Sequence, residues 1–375
     1  MQKFKISTEV CFGADSLSAL KEIKAENAAI FTDAFLAKSG AADKIASYMT
    51  GCRNIKVYAD IKPDPPVELI ADALGFLLDA NSDVVVALGG GSSIDAAKST
   101  VLIARKKTGK DIPLIAVPTT SGTGSEVTSF AVITDRQAGV KYPLVSDELL
   151  PVKAILAGEL VASVPPQITA DTGFDVLTHA LEAYISTAAN DYSDALAEKA
   201  LELAFEYLPA AYKNGNDAVA REKMHTASCL AGMAFNAVSL GVNHGIAHSF
   251  GAHFHIPHGR ANGMLLPYVM WYNAGLDGVA LEPTVTRLAK IAKLIGLPAF
   301  NAKTGAQNLV NKLKNMQREL GIPTSLKAAG VTKEQYAQVK AHIIESALND
   351  ACTATNPRKL VGKDIENILS NLDKF

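Results

Sequence analysis

Through the first half of the chain, short unbroken apolar runs alternate with helical patterns. Ala28–Thr32, Ile55–Ala59, Val84–Leu88 and Pro113–Val117 read as strands, and Val67–Asp79 and Ser93–Arg105 read as helices between them. Apolar, β-branched runs without polar alternation are buried on both faces, so the pattern predicts a parallel sheet covered by helices. Ala131–Thr134 and Lys141–Val145 are two further candidate strands. Strand signals nearly vanish after Pro165-Pro166, where Asp194–Tyr212, Val285–Ile295 and Leu309–Leu320 repeat apolar residues at helical spacing. The chain is therefore expected to hold an α/β domain over residues 1–166 and an all-α domain over 167–375.

Composition narrows the class. With 48% hydrophobic and 20% charged residues, the chain is an ordinary globular protein, which excludes disorder and fibrous structure. A net charge of −2 argues against a dedicated nucleic-acid or anionic-membrane partner. No continuously apolar stretch is long enough to span a bilayer, and the polar-interrupted N-terminus shows no signal peptide. Four cysteines without metal-type or redox-type spacing fit reduced thiols, so a cytoplasmic setting is expected.

Charge is also distributed unevenly. From Met224 to Leu276 the only charged residue is Arg260, which predicts a buried core. The same stretch holds His225, His244, His248, His253, His255 and His258, six of the chain's eight histidines. Buried imidazoles need partners, because an unpaired buried polar group costs roughly 1–3 kcal/mol.

Four constellations could carry chemistry. Gly89-Gly90-Gly91-Ser92 follows a strand and opens a helix, an arrangement that offers backbone N–H groups to a phosphate. A tight turn that binds nothing is an equal reading, and the spacing is not G-x-G-x-x-G. Pro118–Glu126 (P-T-T-S-G-T-G-S-E) follows the next strand, and two such loops at successive strand ends favour a nucleotide crevice. Asp33 ends a strand and could accept from a ribose diol, although from the residue alone a surface Asp is the favoured reading. Asp175 and His179 stand one helical turn apart, as do His244 and His248, with His258 behind Pro257. Taken singly each is a common core residue. Together, a carboxylate and several imidazoles suit a divalent metal such as zinc or ferrous iron. His253 and His255 alternate in one loop as decoys or pocket lining, and His225 and His342 read as structural.

These residues resemble the iron-containing alcohol dehydrogenases over nearly the whole chain. The resemblance rests on Phe12-Gly13, Thr32-Asp33, G-G-G-S-x-x-D-x-A-K (Gly89 to Lys98), P-T-T-x-G-T-G-S-E, T-G-x-D-x-L-T-H-A-x-E (Thr172 to Glu182), H-G-x-A-H (His244 to His248), P-H-G-x-x-N (Pro257 to Asn262) and Asn356-Pro357. It implies a Rossmann-like domain followed by a helical one, the dehydroquinate synthase-like architecture, with the active site in the cleft between domains. It places Asp175, His179, His244 and His258 at the metal-ligand positions and His248 at the additional histidine near nicotinamide and substrate. Gly89, Gly90, Gly91, Ser92, Asp95, Thr119, Thr120, Thr123 and Ser125 take cofactor positions. Asp33 stands where an acidic residue favours NAD over NADP, and Lys141 near a lysine of the cofactor cleft. The cofactors implied are NAD and ferrous iron, with zinc as the alternative metal.

The resemblance also implies a reaction. Hydride passes between NAD(H) and a short-chain primary alcohol or aldehyde, in fermentation or in diol or ethanolamine catabolism. The metal would polarise the carbonyl, and His248 would relay the proton or, alternatively, only pack against the nicotinamide. Departures from the pattern (Asp64-Pro65, Ala157-Gly158, Phe174, Ser249-Phe250) remove no ligand. Glycerol or polyol dehydrogenases and hydroxyacid–oxoacid transhydrogenases are alternatives within the same fold, and a non-catalytic scaffold is one outside enzymology. A homodimer or larger homo-oligomer is expected from the resemblance, in the cytoplasm or inside a bacterial microcompartment.

Overall fold

Eight strands and fourteen α-helices appear in a computed structural model, which describes residues 4–135 and 140–375. The strands are β1 (Glu9–Phe12), β2 (Ala25–Asp33), β3 (Cys52–Ile61), β4 (Val84–Gly89), β5 (Leu114–Pro118), β6 (Phe130–Asp135), β7 (Val140–Val145) and β8 (Lys153–Leu156). Among them run α1 (Ala34–Lys38), α2 (Ala41–Tyr48), α3 (Val67–Asp79) and α4 (Gly91–Thr108), and α5 (Gly158–Val161) follows β8. The chain divides into two compact units, residues 1–163 and 164–375.

The first unit is built on a six-stranded sheet of order β1-β8-β5-β4-β2-β3, with every pairing parallel. Its central strands bury both faces. Ala29, Phe31, Val85 and Ala87 pack with α3 and α4 on one side, and Ala28, Ile30, Val84 and Val86 pack with Leu17, Leu20 and Ile45 on the other. This two-sided burial explains the unbroken apolar runs. β1 and β8 carry no such signal, because each has only four residues. The candidate strands Ala131–Thr134 and Lys141–Val145 do not join the sheet. They lie in β6 and β7, which pair with each other as a separate antiparallel hairpin.

From β2 the chain passes outward to β3, whereas from β4 it passes to β5 on the opposite side. The strand order reverses between β2 and β4, and their carboxyl ends are Asp33 and Gly89. Such a reversal is where open α/β sheets bind ligands.

The second unit is helical: α6 (Pro166–Ile185), α7 (Asp191–Lys213), α8 (Ala218–Val238), α9 (Val242–Phe254), α10 (His258–Asn273), α11 (Thr284–Leu294), α12 (Ala302–Glu319), α13 (Lys333–Asn349) and α14 (Gly362–Ser370). Pro165 and Pro166 start α6, where a missing N–H costs nothing. From Thr169 onward nearly every side chain of α6 is buried. The charge-poor stretch forms most of α8, α9 and α10, and its core character holds except at Ala237 and His248 and across 251–260, where the turn from α9 to α10 is partly open. Asn356 ties this region together. Its carboxamide oxygen accepts from the Val242 backbone at 3.3 Å and from Asn273 Nδ2 at 3.0 Å. No helix among the described residues is long and apolar enough to cross a membrane.

Candidate metal and cofactor sites

Within the helical unit, three helices bring four side chains to one point. Asp175 and His179 lie one turn apart on α6, His244 lies in the first turn of α9, and His258 is the first residue of α10. Their ligand atoms all lie within 4.8 Å of one another. Asp175 Oδ1 is 3.6 Å from His258 Nε2 and 4.0 Å from both His179 Nε2 and His244 Nε2. The His179 and His244 rings stack with centroids 4.8 Å apart. Asp175, His179 and His244 form a buried floor, whereas the His258 side chain is 42% exposed. The cluster is thus dry on one side and accessible on the other.

The donor set fits a divalent metal. Burial holds the His244 imidazole well below its ordinary pKa, and His179, His258 and His248 act in the same direction, since protonated neighbours would repel it. Neutral imidazoles facing one carboxylate are what such a cation requires. Glu182, two turns beyond Asp175, approaches the far ring nitrogen of His244, with Oε2 2.6 Å from Nδ1. Burial pushes the Glu182 carboxyl up to about 8, against the backbone N–H donors of Asn243, His244 and Gly241. A cation in the cluster would favour ionised Glu182, and with Nδ1 then donating to that carboxylate His244 turns its Nε2 lone pair to the cluster.

α10 is held close to α6 at this point. Arg260 donates twice to Asp171, at 3.1 and 2.9 Å. A Cβ on Gly259 would lie 2.2 Å from the Asp171 carbonyl oxygen, so only glycine permits this approach.

His248 stands one turn beyond His244, and its ring stacks on His258 with centroids 5.4 Å apart. Its Nδ1 is 2.8 Å from Asp350 Oδ2, and the backbone N–H of Cys352 donates to Asp350 Oδ1 at 2.8 Å. Burial pushes the Cys352 thiol far up, and the Asp350 charge adds to this, so the thiol stays protonated. Of the remaining histidines, His253 lies in the last turn of α9 rather than in a loop and pairs with His342 at 2.9 Å. His255 follows in a left-handed conformation and points outward. His225 is buried in α8. Phe174 and Phe250, which depart from the family pattern, are fully buried in the helical core.

In the α/β unit the two polar loops touch. The Thr119 N–H donates to the Gly89 carbonyl at 3.0 Å. A Cβ on Gly91 would lie 2.9 Å from Thr123 Cγ2, and one on Gly90 would lie 3.2 Å from Thr120 Oγ1. α4 begins here, and its N-cap is Gly90, which has no side chain to satisfy the first-turn amides. Those amides and the helix dipole fit the pyrophosphate of a dinucleotide. Ser92 lies in the same half-buried turn. Asp33 caps α1 by accepting from the Leu36 N–H at 2.9 Å. Asp95 and Ser125 are turned toward each other. Asp95 Oδ1 accepts from Ser125 Oγ at 2.6 Å, and Oδ2 accepts from the Val132 N–H at 3.0 Å. Lys98 is buried beside them and donates to the carbonyls of Thr128 and Phe130 at 2.7 and 2.8 Å. Lys141 lies in β7, and its side chain is outside the described residues.

Family models fit both units. The model for iron-containing alcohol dehydrogenase matches residues 7–157, and that for the C-terminal part of the Fe-containing alcohol dehydrogenase family matches residues 169–372. The chain belongs to the iron-containing alcohol dehydrogenase family. Among its relatives is the 1-propanol dehydrogenase PduQ of Citrobacter freundii, 41% identical over 99% of this chain and 100% of that one. The NADPH-dependent butanol dehydrogenase of Clostridium saccharobutylicum is 37% identical over 98% and 97%. A crystal structure of 1,3-propanediol oxidoreductase superposes with a TM-score of 0.89 at 32% identity, covering 99% of each chain. As a member of this family the chain is an oxidoreductase of the alcohol dehydrogenase type.

Sequence reasoning gave no role to Glu182, Asn243, Asn262, Asp350 or Lys98. Two of them had a local signal. Glu182 shares the α6 face of Asp175 at i+7, and Asn262 follows His258 at i+4. Asp350 had none, being 102 residues from the histidine it touches.

Proposed function

We propose that this dehydrogenase interconverts a short primary alcohol and its aldehyde, with propanal-sized substrates preferred, running toward aldehyde reduction. The convergence of Asp175, His179, His244 and His258 beside His248 carries this reading. Those four residues would hold ferrous iron, with zinc as the competing metal. Bound iron would act as a Lewis acid on the substrate carbonyl. The names of the propanol and butanol dehydrogenase relatives support the substrate size.

The protein's own groups do the rest. Asp350 keeps a proton on His248 Nδ1, which leaves Nε2 to move a proton between substrate oxygen and solvent. The glycines at 89–91, with Ser92, Thr119, Thr120 and Thr123, cradle the cofactor phosphates, while Asp95 and Ser125 hold the second loop in place. Asp33 favours a free ribose diol over a 2′-phosphate. We assign the cofactor to residues 1–166 and the metal to 167–375. We also assign a homo-oligomeric state and a cytoplasmic or microcompartment setting, from family membership.

The test is anaerobic NADH oxidation with ethanal, propanal and butanal. Metal-stripped protein is assayed alone and after ferrous iron or zinc is added, with Asp175→Ala as the control. Iron-dependent turnover that disappears in the variant is expected, and NADPH in place of NADH should be used poorly. No turnover with any aldehyde, in protein that still binds NADH, would sink this reading. Hydride exchange between two substrates without added cofactor would favour the transhydrogenase instead.

A further inference from the structure

Asn262 sits at the centre of the ligand cluster without being one of its four ligands. Its Nδ2 lies 2.8 Å from Asp175 Oδ1, 3.1 Å from His244 Nε2 and 3.1 Å from His258 Nε2. The residue is wholly buried, one turn after His258 on α10. The direction of its amide follows from its neighbours. An ionised carboxylate only accepts, so the nitrogen must face Asp175. On the other side, Asn243 Nδ2 donates to Asn262 Oδ1 at 2.9 Å and lies 3.2 Å from the Asn262 carbonyl oxygen. Asn243 is itself fully buried, and its backbone N–H donates to Glu182 Oε1 at 2.7 Å.

A chain of contacts therefore runs from Glu182 through Asn243 to Asn262 and ends on Asp175. It meets His244 at both ring nitrogens. Glu182 Oε2 faces Nδ1, and Asn262 Nδ2 faces Nε2. An amide has two N–H groups, and three acceptors converge on this one. One N–H fixes the rotation of the Asp175 carboxylate. In the metal-free site the other is shared by two imidazole lone pairs, which keeps both directed at the same point until a cation takes those lone pairs and leaves Asn262 holding Asp175.

We propose that Asn262, anchored by Asn243, is a positioning residue that pre-assembles Asp175, His244 and His258 for the metal. The proposal rests on the reading of those residues as ligands. Groups that orient metal ligands are typically worth 10-fold to 100-fold in affinity. Asn262→Ala should lose an amount of that order. Asn243→Ala, which keeps the amide but releases its anchor, should lose less. The double variant should be no worse than Asn262→Ala alone, because the two residues act in one line.

The experiment uses the full chain, stripped of metal and titrated with Co2+. The visible Co2+ absorption reports ligand geometry, and competition with a chromophoric chelator gives affinity. The urea midpoint of the metal-free protein checks folding. The expected result is a shifted Co2+ spectrum and roughly 10-fold to 100-fold weaker binding in folded Asn262→Ala. Unchanged affinity and spectrum in the folded variant would overturn the proposal. If Asn262→Ala does not fold, Asn243→Ala decides, and wild-type affinity and spectrum there overturn it equally. Asp175→Ala separates the two levels. Wild-type Co2+ binding in that variant would overturn the ligand reading and this inference with it, whereas lost binding there with intact binding in Asn262→Ala would overturn the inference alone.

Discussion

His248 Nδ1 lies 2.8 Å from Asp350 Oδ2, a contact between α9 and the turn that follows α13. Burial raises the Asp350 carboxyl, but hydrogen bonds from His248 and Cys352 outweigh it and hold the group below its ordinary value. An ionised Asp350 fixes the His248 tautomer with its proton on Nδ1. Asp350→Asn should lower turnover by about 100-fold, the bottom of the range that a positioned acid–base group contributes. Metal content and NADH affinity should stay near wild type. The steady-state rate with propanal, measured beside His248→Ala, checks this. Full activity in Asp350→Asn while His248→Ala is impaired would remove Asp350 from the relay.

Gly259 sets the distance between α10 and α6. A Cβ there would meet the backbone of Asp171, with the carbonyl oxygen at 2.2 Å and its carbon at 2.7 Å, and backbone cannot rotate aside. Gly259→Ala should cost about 1–3 kcal/mol, the usual range for overpacking. It should also draw His258 away from Asp175 and weaken metal binding. Urea denaturation and Co2+ titration read the two effects. Gly75→Ala is the control. It lies inside α3 with nothing within 4 Å of the added methyl, so it should be neutral or stabilise by roughly 0.5–1 kcal/mol.

Lys98 and Glu126 are buried, with the partly buried Asp95 beside them, where α4 meets the loop of residues 118–126. Burial lifts the Glu126 carboxyl from its ordinary 4.5 to about 7. Between those values the folded chain holds a proton that the unfolded chain has released, so stability falls as pH rises through that window. In Glu126→Gln that component should be missing. A thermal melting series from acid to neutral pH should therefore slope less steeply in the variant. An unchanged slope would show that Glu126 is ionised throughout. Lys98→Met strips the same group of its only cation among these three and should cost about 3–5 kcal/mol, with weaker NADH binding.

Much of this was legible along the chain. Doubly buried parallel strands read as unbroken apolar runs because both faces meet helices, so β2, β4 and β5 and the change to helices after Pro165 could be seen directly, whereas β3, a largely exposed edge strand, showed only through its β-branched and aromatic residues. Asp175 with His179, and His244 with His248, were visible because a helix places i and i+4 on one face. β1 and β8 were not, since four residues at a sheet edge leave too little pattern. β6 and β7 showed strand propensity but not their destination, because pairing depends on which partner edge the fold supplies.

The sequence by itself determined the local vocabulary: which segments are helix or strand, and which residue types stand one turn apart. Only the tertiary structure decided that α6, α9 and α10 deliver their polar residues to a single point, that Asn262 faces that point rather than solvent, and that Asp350 meets a histidine 102 positions away. The reason is physical. Helical period and strand burial act over a few residues and leave a trace in their order. Contacts between buried polar groups are set by the packing of whole helices, and the cost of leaving such groups unpaired is felt only once that packing has closed around them.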